Sequence, residues 1–354
     1  MKTTFIPNYL NIQKAALNQA NDRLPLYEHS ISLKIMEKIT NIPFITPVNG
    51  NIRDWEEYYH NYCEFFKNMG YDTVSIEFGI SRIMPGGGSL SRHDIEPAIR
   101  KYQDYEKYPW NDLPEYYFAM YDKRINALRN VMPEGMKAIG GVGSGIFECV
   151  QNLTGYLNLC YISKDDPTLY TSLFNKIGEV SFNIWNRFIN LYGDIFCVMR
   201  FGDDLGFKNG TLIPPDDIIN LIIPEYAKII NLVHSSGKPF LLHSCGNIAK
   251  VMPQLIHTAK IDAKHSNEDQ ILPFPELIKE YGNSIGIFGG IDVNSLCQLS
   301  PDCIKKHITN MINACGKKNG IAIGSGNSIP DWTPVENYVA MTEAVRMYRG
   351  ETIF

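Results

Sequence analysis

Four short apolar runs, KPFLLHSC (238–245), IDAKHS (261–266), SIGIFGG (284–290) and GIAIGSG (320–326), punctuate the second half of the chain. Between them lie segments near 247–259, 273–281 and 301–314 with the apolar spacing of helices. Strand followed by helix, repeated, demands right-handed crossovers and hence a parallel sheet. Working outward, IFCVMRF (195–201), KAIGGV (137–142) and TVSIEFG (73–79) read as further strands, and 42–46 supplies one more. The resulting set is 42–46, 73–77, 137–141, 195–200, 239–243, 261–265, 285–289 and 320–324. Eight such units predict a (β/α)8 TIM barrel with an N-terminal helical extension, one domain over 1–354. The first half is less regular, so a doubly wound sheet is the alternative. Residues 216–236 read as a helix, or a helix pair broken at Pro224.

Composition narrows the function. The 33 basic against 38 acidic side chains give a net charge of −5, which disfavours a nucleic-acid or anionic-membrane surface. No apolar run approaches the roughly 18 residues of a membrane helix. The opening MKTTFIPNYL lacks the apolar core of a signal peptide, so a cytoplasmic protein is expected. Eight cysteines form no CxxC pair and read as reduced thiols. Walker A, GxGxxG and GxSxG are all missing, leaving phosphoryl and hydride transfer without support.

The polar residues gather where each apolar run ends: Glu77, Glu148, Asp203 and Asp204, His243 and Cys245, His265 and Glu268, Asp292, and Ser325 with Asn327. In a barrel those ends converge on one mouth, where active sites are built. In an extended segment residues i and i+2 face the same side, so His243 and Cys245 reach a common point, and imidazole with thiolate suits zinc. Glu268, just past the next strand, is the expected third metal ligand; Asp204, Glu148, His265 and Ser325 compete for that place. Asp204, Glu77 and Glu148 are the expected catalytic carboxylates, positioning the substrate or moving a proton.

In order, RFGDDLGFKNGTLIPPDDI (200–218), GKPFLLHSCGNI (237–248), IDAKHSNED (261–269), FGGIDV (288–293) and GSGNSIPDWTPVENYVAM (324–341) resemble the uroporphyrinogen decarboxylase superfamily. More narrowly, they resemble its zinc- and corrinoid-dependent methyltransferase branch. The likeness runs over about 135–350, with RLPLYEH (23–29) as a fainter echo. It implies a (β/α)8 barrel with its site at the C-terminal mouth. The decarboxylases carry arginines after that N-terminal segment to hold the substrate's carboxylates; here the stretch is Glu28-His29-Ser30-Ile31-Ser32, which argues against decarboxylation. The coenzyme M methyltransferases use HxC plus a distant cysteine. His243 and Cys245 match the first part, and Ser325 stands where the cysteine would be. Glu268 corresponds by spacing to the carboxylate ligand of cobalamin-independent methionine synthase.

A zinc with fewer thiolates is more electrophilic and better suited to polarising oxygen. An aryl methyl ether is then the expected methyl donor, because its leaving phenol has a pKa of about 10. The methyl acceptor is expected to be a Co(I) corrinoid. A cobalamin-binding DxHxxG is missing, the nearest string being Asp262-Ala-Lys-His265, so a separate corrinoid protein is the expected partner. A methyl-corrinoid:thiol methyltransferase is the alternative and a decarboxylase comes third. The sequence leaves a homodimer open.

Overall fold

A computed structural model of the chain describes residues 5–92, 94–316 and 319–351. Seven parallel strands form one curved sheet: β1 (Thr73–Gly79), β2 (Lys137–Gly143), β3 (Phe196–Gly202), β6 (Phe240–His243), β7 (Ala263–His265), β8 (Gly286–Ile291) and β9 (Ile321–Ser325), neighbours in that order. A two-stranded hairpin, β4 (Gly206–Phe207) with β5 (Gly210–Thr211), hangs from the end of β3. Seven of the eight expected strands are therefore present, and each barrel strand is followed by helix.

The expected strand at 42–46 is not formed. Pro43 and Pro47 remove two ladder donors there, and Ile45 faces solvent at 78% exposure. The eighth place is taken by Pro25–Glu28. Tyr27 donates its N–H to Ile323 O at 3.0 Å, and Ile323 N–H donates to Pro25 O at 2.9 Å, so this segment pairs with β9. On its other side, Ser75 Oγ of β1 donates to Glu28 O. The sheet thus closes into a barrel through the segment that carries Glu28 and His29.

Side chains that point inward fill the barrel: Tyr27, Ile139, Val198, Leu241, Ala263, Phe288 and Ala322 pack in one cluster with Ile12, Ala15 and Ala16. Those last three belong to the N-terminal helix Leu10–Ala16, which plugs the end away from the mouth. Leu242, Ile287 and Ile323 alternate outward, as the period of two requires, into the larger core beneath the helices. The chain stays helical from Pro215 to Ser235. Its Pro224 is accommodated where a π-turn at Ile218–Ile222 hands over to the regular helix Ile223–Ser235. No helix of the described residues is long and apolar enough to cross a membrane.

Candidate metal centre

His243 is the last residue of β6 and His265 the last of β7, paired in register. Both imidazoles point into the mouth, and their Nδ1 atoms lie 2.7 Å apart. His265 Nε2 lies 3.2 Å from Ser325 O, a carbonyl that only accepts, so His265 Nε2 carries a proton. Burial drives the pKa of His265 down to about 3, keeping it neutral and making its Nδ1 an acceptor. His243 Nδ1–H must then be the donor. This network assigns the His243 tautomer and leaves Nε2 with its lone pair free.

That Nε2 faces Cys245 Sγ at 3.5 Å and Asp204 Oδ1 at 3.7 Å. One ligand atom from each of Asp204, His243 and Cys245 falls within a 4.8 Å group. The strand geometry brings His243 and Cys245 to one side as the i, i+2 spacing requires. The turn after them depends on Gly246: its φ is +79°, and a Cβ would meet Gly206 backbone atoms at 2.2–2.4 Å. Asp204 arrives from the loop after β3. Cys245 N–H donates to its Oδ1 at 2.9 Å, and Asp203 N–H donates to His243 O at 2.9 Å, locking that loop onto β6. Asn327 Nδ2 donates to Cys245 Sγ at 3.2 Å. Burial, with the Asp204 carboxylate adding to it, pushes the thiol up to about 12.

The remaining expected residues divide clearly. Glu268 lies outside this 4.8 Å group; its Oε1 accepts from Gly246 N–H at 3.3 Å. Ser325 is turned the other way, its hydroxyl donating to Glu28 Oε2 at 2.5 Å. His265 has both ring nitrogens engaged and braces His243. Glu77 on β1 accepts from Arg200 Nε at 2.6 Å, and Arg200 Nη1 donates to Tyr27 OH at 2.8 Å. Glu148 opens the helix Ile146–Thr154, where its Oε1 accepts from Asp204 N–H at 3.3 Å. Burial first, then the charges of Asp203, Asp204 and Glu77, raise its pKa well above the carboxylate range. Asp203 is an anchor, accepting from Phe147 N–H at 2.9 Å, Glu148 N–H at 2.8 Å and Tyr226 OH. Asp292 accepts from Asn294 N–H and caps the helix Val293–Gln298.

Three further groups, two in the mouth and one behind it, were not expected as site residues. His29 stacks on His243 with ring centroids 3.7 Å apart and planes 13° from parallel. Its Nδ1 has no hydrogen-bond partner among the described residues. Arg200 and Lys264 are buried charges inside strands, a pattern visible in MRF and AKH but carrying no spacing that names a partner.

The profile of the uroporphyrinogen decarboxylase (URO-D) family matches residues 55–348. No curated protein sequence matches the chain. Among solved structures, a methyltransferase from Methanosarcina mazei superposes with a TM-score of 0.75 at 15% identity, covering 96% of this chain and 98% of that one. A protein described as a vitamin-B12-independent methionine synthase, from Listeria monocytogenes, gives 0.53 at 13% identity, covering 92% and 98%. At such identities these likenesses speak to the fold, and the fold is that of a TIM barrel. With the family profile spanning most of the chain and the mouth of the barrel holding its polar residues, the chain belongs to the uroporphyrinogen decarboxylase family.

Proposed function

We propose that the chain is a zinc-dependent methyltransferase that moves a methyl group from an aryl methyl ether to the Co(I) corrinoid of a separate corrinoid protein. The observation that carries the reading is the Ser325–His265–His243 relay, which aims an unprotonated Nε2 at a thiol and a carboxylate. A neutral imidazole oriented from behind by a second residue is how zinc ligands are prepared. His243, Cys245 and Asp204 are the residues that would hold the ion, and one nitrogen, one sulfur and one oxygen donor suit it. A divalent cation among them would also displace the thiol proton that burial otherwise retains.

When bound, such an ion supplies Lewis-acid polarisation of the ether oxygen. The residues of the chain do the rest. His265 and Ser325 fix the His243 ring; Asn327 holds the Cys245 sulfur. Glu77, fixed by Arg200, positions the ring of the substrate. Glu148, beside Asp204, is placed to return a proton to the oxygen once its bond to the methyl carbon breaks and the electron pair stays behind. Glu268 keeps the Cys245–Gly246 turn in place.

The test is metal content by plasma mass spectrometry, followed by incubation with methoxylated aromatics and cob(I)alamin. Wild type is expected to hold about one zinc per chain. Cys245→Ala and Asp204→Ala are expected to lose it, while Glu268→Gln keeps it. Retention of zinc by Cys245→Ala would sink the ligand set. Zinc without demethylation of any methoxyarene, but with methylation of a thiol by methylcobalamin, would reverse the direction of transfer.

A further inference from the structure

Lys264 sits in β7 between Ala263 and His265, so its side chain leaves the barrel on the side opposite the metal centre. It is only 4% exposed. Its ammonium has three donors, and Ser266 O accepts one of them at 2.5 Å. No carboxylate of the described residues forms an ion pair with it. A buried ammonium held by a single carbonyl is costly, and an apolar residue in its place would stabilise the fold. The reason to keep it lies in what it borders: a cavity of about 240 Å³ behind the mouth.

The walls of this cavity carry one cation and two anions. Lys264 lies at depth; Glu268 is half-buried and Glu280 exposed. Met252, Leu272 and Leu277 supply apolar surface on the helix side. A simple anion would be repelled by the two glutamates, and a simple cation by the lysine. A purely apolar ligand would leave the ammonium unsatisfied. A volume below the roughly 300–1,000 Å³ of ordinary ligand pockets calls for a small molecule. We propose that this cavity is a binding site for a small zwitterionic amino acid with an apolar side chain. Its carboxylate meets Lys264, its ammonium meets Glu268 and Glu280, and its side chain lies along Met252, Leu272 and Leu277. Because Glu268 also accepts from Gly246 N–H, the occupant is coupled through one hydrogen bond to the residue that follows Cys245.

Titration calorimetry on the full chain, with and without a zinc chelator, tests this with L-leucine and L-methionine as probes. The two halves of leucine, 4-methylpentanoate and 3-methylbutylamine, serve as controls. Saturable binding of at least one amino acid is expected at concentrations up to roughly 10 mM, each half-molecule binding leucine's site about tenfold or more weakly. Lys264→Met and Glu268→Gln should each weaken the amino acid by about tenfold or more. Lys264→Met replaces the ammonium with an unbranched apolar chain of similar length and is expected to fold. Binding that survives chelation separates this site from the zinc reading. No binding of either amino acid, equal binding of a half-molecule, or indifference to both substitutions overturns the proposal.

Discussion

Glu28 is fully buried, and both its carboxylate oxygens accept from Ser325, Oε1 from the N–H at 2.9 Å and Oε2 from the hydroxyl at 2.5 Å. Burial outweighs these bonds and raises its pKa to about 8. An acid whose folded pKa lies above its unfolded one binds more protons when folded. Its contribution to stability is therefore complete below the unfolded value of about 4.3 and is lost as pH rises through about 8. Thermal melts of wild type should fall over that window relative to Glu28→Gln, which cannot titrate; parallel curves would refute the assignment. Nothing in YEH signals a buried acid, because the segment's partner is Ser325 at the far end of the chain. Lys264 and Arg200 stand out as charges in apolar runs, yet burial and partner depend on which face the strand presents. His243 and Cys245 are legible for the opposite reason: the two-residue repeat of a strand places both without reference to the rest of the fold.

Among the elements, Pro25–Glu28 decides whether the barrel closes. It contributes two backbone bonds to β9 and accepts one side-chain bond from β1, and Leu26 between them is wholly buried. Leu26→Ala should lower stability by about 2–5 kcal/mol in urea titrations, the cost of a core cavity. A change below about 1 kcal/mol would mean that the segment merely covers a barrel closed by other means. Local pattern favours IPFIT over LPLYE as a strand, since both hold proline and the former is more apolar. The choice is made by what each run meets: Ile45 faces water, whereas Leu26 finds Ile323 nearly 300 residues away. The strands from β6 to β9 are legible because each is short, buried on both faces and followed by its own helix. The stretch between β1 and the helix Ile146–Thr154 that holds the glycines 86–88 has no such repeat, and those glycines are placed by that helix, where Asn152 Oδ1 accepts from Gly88 N–H at 2.9 Å.

Across the whole molecule, the three residues of the proposed zinc site come from the end of β6, the turn that follows it and the loop after β3, whose approach only the closed barrel defines. Asp204 and Glu268 are equally good ligands on paper, each a carboxylate just past a strand. Strand order does not separate them, since β3 and β7 both flank β6. What does is the backbone bonding: Asp203 N–H to His243 O and Cys245 N–H to Asp204 Oδ1 bring that carboxylate to the HxC pair, whereas Glu268 accepts from Gly246 N–H one residue further on. A cation bound by these three residues requires β3 and β6 to be in place, so it binds the folded chain far better than the unfolded one. Linkage then makes zinc a stabiliser by RT ln(1 + [L]/Kd), about 2.7 kcal/mol at a hundredfold excess over Kd. Wild type should accordingly melt several degrees higher with zinc than after chelation. Cys245→Ala and Asp204→Ala should show no zinc-dependent rise, and Glu268→Gln should retain it. The same shift in Asp204→Ala as in wild type would move the third ligand elsewhere in the mouth, while its loss in Glu268→Gln would restore the carboxylate that the spacing of the sequence favours.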